Sequence, residues 1–385
     1  MKKMSFILLS ILLIFAVYLS FTTFNSGTPT AVAKYNDMKT YQGTVYIAGM
    51  GGHFAKADIE IDPASDTPIK VKELDRLVIG DKDTHPVHET RIDAADRNRM
   101  YWSTYKTDKK SEGQTVHVGT IDLVTETVIL DKKYQLPDRA VWTGALYCSS
   151  GQTATSYMPA TMTNDGYLSI YDKKTLDLKR TVYFDSIGYR NNYQFLHGTN
   201  SPDMKTYVLT VNKSEEWIKP DAPANRLGQI DMLLLDLPSL EEGKLKILTK
   251  NTITGSPENT ITFRQRFTQD GKYLLQSGAD RFFLLKGDDM KLLDEEMINL
   301  GENHDAIPTP DGKYAILTLR SDMTVPDGKG GDTKIKDGTL LLYDVEARKV
   351  IGKPSSVCYS CHVDAAEEGK PVWSAVLCGA DVNWK

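Results

Sequence analysis

Close to the C-terminus the chain reads Cys358-Tyr359-Ser360-Cys361-His362. Two thiols at this spacing, followed at once by an imidazole, supply what covalent porphyrin attachment requires. Each thiol adds across a vinyl group, and the adjacent ring reaches the iron as an axial ligand. The pattern is C-x-x-C-H, the attachment sequence of a c-type haem, and the expected cofactor is one covalently held haem. With only four cysteines in 385 residues, composition does not account for it. The plain alternatives are a small disulfide or half of a zinc site. Zinc would want another close Cys/His pair, and no second C-x-x-C is present. Cys148 and Cys378 stand apart from the motif, and in an oxidising compartment they are candidates to pair.

An iron held by His362 needs a decision on its other side, where His or Met is the expected ligand. His53, His85, His88, His197 and His304 compete, with Met50 and Met100 behind them. His88 and His197 rank first. If none reaches, the iron is open to small molecules. Imidazole is also the commonest side-chain metal ligand near neutral pH, so the same cluster is a candidate for a second metal. Arg91 and Arg264, with Arg266 and Arg139 beside them in the argument, suit haem propionates or a small anion. For any one of these residues, a polar loop side chain bonded to backbone or solvent is the ordinary reading. His88-Glu89 is a candidate for proton delivery. No serine-nucleophile elbow, phosphate-binding glycine loop or HExxH motif is present.

The elements that must position these groups are short strands and turns. Val45–Ala48, Thr115–Ile121 and Thr339–Val345 read as strands. Ser201-Pro202-Asp203, Asn164-Asp165-Gly166, Gln269-Asp270-Gly271-Lys272 and Pro310-Asp311-Gly312-Lys313 read as turns. Long 3.6-residue periodicity is missing, so the chain is all-β. It also repeats. The stretch 196–209, with Pro202-Asp203, matches 303–316, with Pro310-Asp311. Phe263–Leu275 has the same form, and Ile92–Thr104 is a looser copy. Four antiparallel strands per 45–60 residues predict a six- or seven-bladed β-propeller. The stretch from His362 to Val376 matches the copies that begin at His197 and His304. It is therefore expected to open a last blade that N-terminal strands around Val45–Asp62 complete. On this alignment His197, His304 and His362 occupy equivalent positions around one mouth. His85, His88 and His53 fall on the same face, and His117, inside a strand, is the odd one out.

The N-terminus points to export. Met1-Lys2-Lys3 is a short basic region, Ser5–Phe24 is almost wholly apolar or hydroxylated, and Ala31-Val32-Ala33 is an A-x-A cleavage site. Residues 1–33 are expected to be a signal peptide, or an uncleaved anchor, and 34–385 a single propeller domain. The expected location is periplasmic or otherwise extracytoplasmic, where c-type haem is attached. A net charge of −5 argues against nucleic acid as partner. A redox partner protein is the expected one, with a membrane anchor or membrane-associated complex as the further possibility.

The repeat resembles the YVTN-type propellers over nearly all of the mature chain. With inward histidines at a tetrapyrrole site, and with Phe195-Leu196-His197-Gly198 leading into a strand and turn, it also resembles the propeller domain of the bifunctional haem nitrite reductases. That resemblance implies a role for His197 at the iron, and less directly for His304 or His88. In that family the ring has eight blades and follows a separate helical cytochrome domain, whereas here the attachment motif lies within the repeat. A weaker similarity is to the propeller of nitrous oxide reductase, whose mouth histidines hold a copper cluster. Periplasmic amine dehydrogenase subunits share the fold without a haem motif to match. Three functions follow in order: an exported cytochrome passing electrons, a haem- or metal-dependent oxidoreductase acting on a small molecule, and a propeller binding module.

Overall fold

The repeated Asp-centred turn signals fold as one side-chain-closed turn. Asp270 Oδ1 accepts from Thr268 Oγ1 at 2.6 Å and from the Lys272 N–H at 3.0 Å. Asp311 does the same with Thr309 and Lys313, and Asp203 with Ser201 and Lys205. The carboxylate mimics a main-chain acceptor, as Asp and Asn do in Asx-turns. Gly271 and Gly312 then take φ near +71° and +72°, a region costly for other residues. Each such turn joins the innermost strand of a sheet to the next.

The computed structural model describes residues 40–139, 147–217, 226–326, 330–357 and 377–385. Among these, 24 strands form six four-stranded antiparallel sheets, the blades of a propeller. Blade 1 contains β1 (Tyr41–Gly49), β2 (His53–Ile61) and β3 (Ile69–Val78). Blade 2 contains β4 (Val87–Ile92), β5 (Arg99–Thr104), β6 (Thr115–Asp122) and β7 (Thr127–Gln135). Blade 3 runs through β8 (Tyr147–Gln152), β9 (Ser156–Thr161), β10 (Tyr167–Asp172) and β11 (Leu178–Tyr183). Blade 4 has β12 (Tyr193–Asn200), β13 (Thr206–Ser214), β14 (Arg226–Asp236) and β15 (Ile247–Thr254). Blade 5 has β16 (Gln265–Phe267), β17 (Tyr273–Ser277), β18 (Arg281–Lys286) and β19 (Leu292–Met297). Blade 6 has β20 (Glu302–Pro308), β21 (Tyr314–Pro326), β22 (Asp332–Asp344) and β23 (Lys349–Ser356). The last strand, β24 (Leu377–Trp384), pairs with β1 and supplies the innermost strand of blade 1. The two ends of the chain therefore close one sheet, and the described strands of all six blades are accounted for.

The blade number is six. The closing strand differs from the sequence alignment. The innermost place in blade 1 belongs to Leu377–Trp384, and its register is set by Val45 opposite Val382 and Tyr46 opposite Asp381. Residues 358–376, which include Cys358, Cys361 and His362, lie outside the described residues, as does the N-terminal segment 1–39.

Innermost and outermost strands differ in burial for a simple reason. β4, β8 and β12 lie between neighbouring blades and are buried almost throughout, whereas β7 and β19 expose alternate residues to solvent. Packing between blades is apolar further from the axis. Tyr41, Val45, Ile47 and Val382 of blade 1 meet Ile316, Leu340 and Leu342 of blade 6. Each fully buried aliphatic side chain there contributes about 1.5–3 kcal/mol. Helical structure among the described residues is confined to a 3₁₀ turn at Phe184–Ile187 and a five-residue helix, α1 (Leu237–Glu241), capped by Asp236 through the Ser239 N–H.

Candidate functional site

The innermost strands cannot avoid polar side chains near the axis, because six of them converge with both faces covered. β4 reads Val-His-Glu-Thr-Arg-Ile and is buried at every position. Burial of charge requires partners, and the strands provide them. Arg264, one residue before β16, donates from Nε to Glu89 Oε2 at 2.7 Å. Arg91 meets Glu89 Oε1 at 3.3 Å, and Ser150 Oγ donates to the same oxygen at 2.7 Å. Arg266 pairs with Asp381 Oδ2 at 3.2 Å, lies 3.8 Å from Asp305, and donates to the Ala380 carbonyl. Three guanidinium groups thus meet Glu89, Asp305 and Asp381, drawn from blades 1, 2, 5 and 6.

Against this ionic layer stand three histidines from three blades. β-Bulges shift the register at His88 in β4 and at His304 in β20. A bulge re-aims a side chain, and here it lets His88–Glu89 and His304–Asp305 bury both members of each pair. The His88 and His304 rings lie edge to face with centroids 6.4 Å apart. Tyr105 stacks on His88 at 4.2 Å, and Phe263 stacks on His304 at 4.0 Å. Phe263 also meets the His197 ring edge-on at 6.0 Å. The result is an aromatic array running Tyr105, His88, His304, Phe263, His197.

The hydrogen bonding of the three rings is uneven. His88 Nδ1 faces Arg264 Nη2 at 2.8 Å. His304 Nε2 lies 3.3 Å from Glu302 and 3.1 Å from Arg320, while its Nδ1 is buried without a partner among the described residues. His197 is fully buried, and neither ring nitrogen makes a hydrogen bond among the described residues. The Thr262 main chain favours a proton on that ring without meeting hydrogen-bond geometry. Arg264 Nη1 is likewise buried and unpartnered among the described residues. Burial holds His88 and His197 well below the usual imidazole range, and the charge of Arg264 adds to the effect. His304 is lowered to about 4, mainly by burial. All three imidazoles are therefore neutral at neutral pH and able to act as ligands.

The remaining candidates lie elsewhere. His53 opens β2 at the turn between the second and third strands of blade 1, and its contacts are with that turn, not with the three histidines. His85 bonds Asp131 at 3.0 Å and lies 4.3 Å, ring to ring, from His117, further out along blade 2. His117, the odd one out in the sequence, is thus the partner of His85. Arg139 also leaves the axis. It pairs with Asp165 and Asp185 along blade 3 and covers the Tyr183 ring. Cys148 and Cys378 are buried free thiols, and both titrate upward through burial.

No known protein family matches the sequence, and no curated protein sequence matches it. Solved structures do share its fold. A protein of unknown function from Bacteroides caccae superposes with a TM-score of 0.50 at 12% identity, over 89% of this chain and 98% of that one. Hydrazine synthase from Kuenenia stuttgartiensis gives 0.44 at 14% identity, over 77% and 74% of the two chains. TolB from Acinetobacter baumannii gives 0.47 at 13%, over 82% and 66%. At 12% identity the likeness to the Bacteroides caccae protein is one of fold alone.

The ionic layer and the bulges have a partial sequence signature. His-Glu-x-Arg in β4 and Arg-x-Arg before the turn of blade 5 place alternating charges on strands otherwise apolar. What sequence does not give is that Glu89 and Arg264, 175 residues apart, are each other's partners.

Proposed function

We propose that the chain is an exported c-type cytochrome on a six-bladed propeller, exchanging electrons with a redox partner protein. In this reading Cys358 and Cys361 carry the thioether links and His362 the first axial position. His197 and His88 are the candidates for the second. The bound haem would supply reversible one-electron chemistry.

The observation that carries the reading is His197. Two buried ring nitrogens without partners among the described residues cost about 1–3 kcal/mol each, and His88 and His304 lie in the same array. Residues 358–376 join the end of β23 to the start of β24. Antiparallel pairing puts both of those ends on the face where β4, β12 and β20 begin. The protein's own contribution is electrostatic. Burial keeps the imidazoles neutral, the Arg–carboxylate layer beneath them fixes their backbone, and Tyr105 and Phe263 set the planes of His88 and His304. Arg91 is already committed to Glu89 and Ser150, so Arg264, whose Nη1 amino group has no partner among the described residues, is the better partner for a propionate.

The test is the absorption spectrum of the exported protein with a pyridine haemochrome assay. One covalent haem per chain, lost in C361A and altered in H197Q, is the expected result. A colourless protein would return the chain to the binding-module reading. A second reading, a small-molecule oxidoreductase of the nitrite-reductase kind with the mouth histidines serving iron or a second metal, draws on Arg264 Nη1 beside neutral imidazoles. A high-spin ferric signal that responds to nitrite or azide would favour it.

A further inference from the structure

Away from the axis, on blade 2, four chemistry-bearing side chains converge that the haem reading does not use. His85 lies in the loop before β4, His117 on β6, Asp131 on β7, and Asp108 in the connection between β5 and β6. His85 Nε2 lies 3.0 Å from Asp131 Oδ2, and His117 Nδ1 lies 2.7 Å from Asp131 Oδ1. The three donor atoms nearest one another fall within 4.8 Å. Around a tetrahedral ion with bonds of about 2.0–2.1 Å, ligand atoms sit about 3.3 Å apart, so closure requires only small side-chain movement.

We propose that His85, His117 and Asp131 bind one divalent first-row transition-metal ion, with zinc the expected occupant. Three features beyond proximity support a ligand set. First, each ring turns one nitrogen toward Asp131 and has the other fixed. His85 Nδ1 is held by Thr84 Oγ1 at 2.8 Å, and His117 Nε2 by Asp108 Oδ2 at 3.1 Å. A carboxylate behind a metal-ligating imidazole sets its orientation and strengthens it as a donor. Second, Asp108 is itself anchored, by Lys133 Nζ at 2.9 Å, so the support is rigid. Third, the site is closed below and open above. The His117 and Asp108 side chains are 1% and 0% exposed, whereas Asp131 is 34% exposed. Two imidazoles, one carboxylate and a solvent-facing position suit a zinc site that keeps one place for water.

The test uses the full-length protein, stripped of loosely held metal by a chelator and titrated with Zn²⁺ by calorimetry, with zinc counted by mass spectrometry. It does not depend on whether the protein carries haem. Saturable binding of one Zn²⁺ per chain is expected, beyond any metal at the mouth. H85Q and D131N should weaken it at least about tenfold, and D108N by about 10–100-fold with all three ligands present. H197Q should bind as the unaltered protein does. Circular dichroism of each variant confirms folding, and H85Q and D131N alter partly exposed side chains. The proposal is overturned if these two variants bind zinc as tightly as the original chain. It is also overturned if H197Q alone abolishes binding, or if no zinc binds and the four groups form only a hydrogen-bonded charge network.

Discussion

Arg264 and Glu89 form a buried ion pair across the propeller axis. Their side chains are 1% and 0% exposed, with Nε and Oε2 2.7 Å apart. They come from blades 5 and 2, which face each other in a ring of six, so this single contact ties opposite walls together. Arg264 then donates to the His88 carbonyl and faces its ring nitrogen. The bolt that closes the axis thus also fixes one of the candidate ligands.

Breaking that pair from one side should be costly. Glu89→Gln leaves Arg264 and Arg91 charged and buried, and loss of one member of such a pair costs about 3–5 kcal/mol. Replacing both, as in Glu89→Met with Arg264→Met, should cost less than the sum of the two single changes. Guanidinium unfolding of the four species, followed by tryptophan fluorescence, measures the coupling. Strict additivity would show that the two side chains act independently.

A second inter-blade link should respond to acid. Glu241, at the end of α1 in blade 4, accepts from Thr153, Thr155 and Ser156 of blade 3, at 2.7, 2.7 and 2.5 Å. Burial works to raise its pKa, but the three hydroxyl donors outweigh it and the net direction is downward. The unfolded state therefore binds the proton more readily. The stabilisation is complete above the ordinary glutamate range near pH 4.5 and disappears as pH falls through the lowered folded value. Glu241→Gln should lower stability at pH 7 by about 1–2 kcal/mol and should flatten this part of the acid limb. Thermal unfolding between pH 3 and 7 reads both effects.

Thiol counting tests the haem reading without a spectrum. Cys148 and Cys378 are free, buried and pushed up by burial. Thiolate is the reactive form, so neither should react with a thiol reagent in the native protein. In denaturant the same reagent should find two thiols, not the four cysteines of the sequence, because Cys358 and Cys361 would be thioethers. Four would exclude covalent attachment. Two in the unmodified protein and still two after reduction would distinguish thioethers from a disulfide.

Much of the scaffold is legible in the residues because its turns are local. Thr268-Gln269-Asp270-Gly271-Lys272 closes on itself through one carboxylate, so it reads the same wherever it falls. The closing strand has no such mark. Residues 362–376 resemble a repeat by residue type, yet the innermost strand is β24, and only pairing with β1 fixes it there. The axis charges show the same limit. Glu89 and Arg264 read as polar residues on buried strands, while their partnership depends on ring closure. His117 reads correctly as a strand residue, but strand position alone does not reveal its neighbours. His117 pairs with Lys133 and Gly119 with Asp131, so His117 and Asp131 are diagonal on one face.

The closing strand itself offers a last test, at Gly379. The position needs glycine for space. A Cβ there would lie 2.6 Å from Arg264 Nε and 2.7 Å from the His88 carbonyl oxygen. Neither can yield easily, since Arg264 is held by Glu89 and His88 sits in a bulged strand paired on both sides of the bulge. Gly379→Ala should therefore destabilise the protein by about 1–3 kcal/mol, as overpacking does. It should also loosen β24 first, because the clash pushes that strand away from blades 2 and 5. Hydrogen exchange at Ala380 and Val382, compared with exchange in the central strand β13, separates local opening from global loss. Equal acceleration in both would mean that ring closure and the blades unfold as one unit.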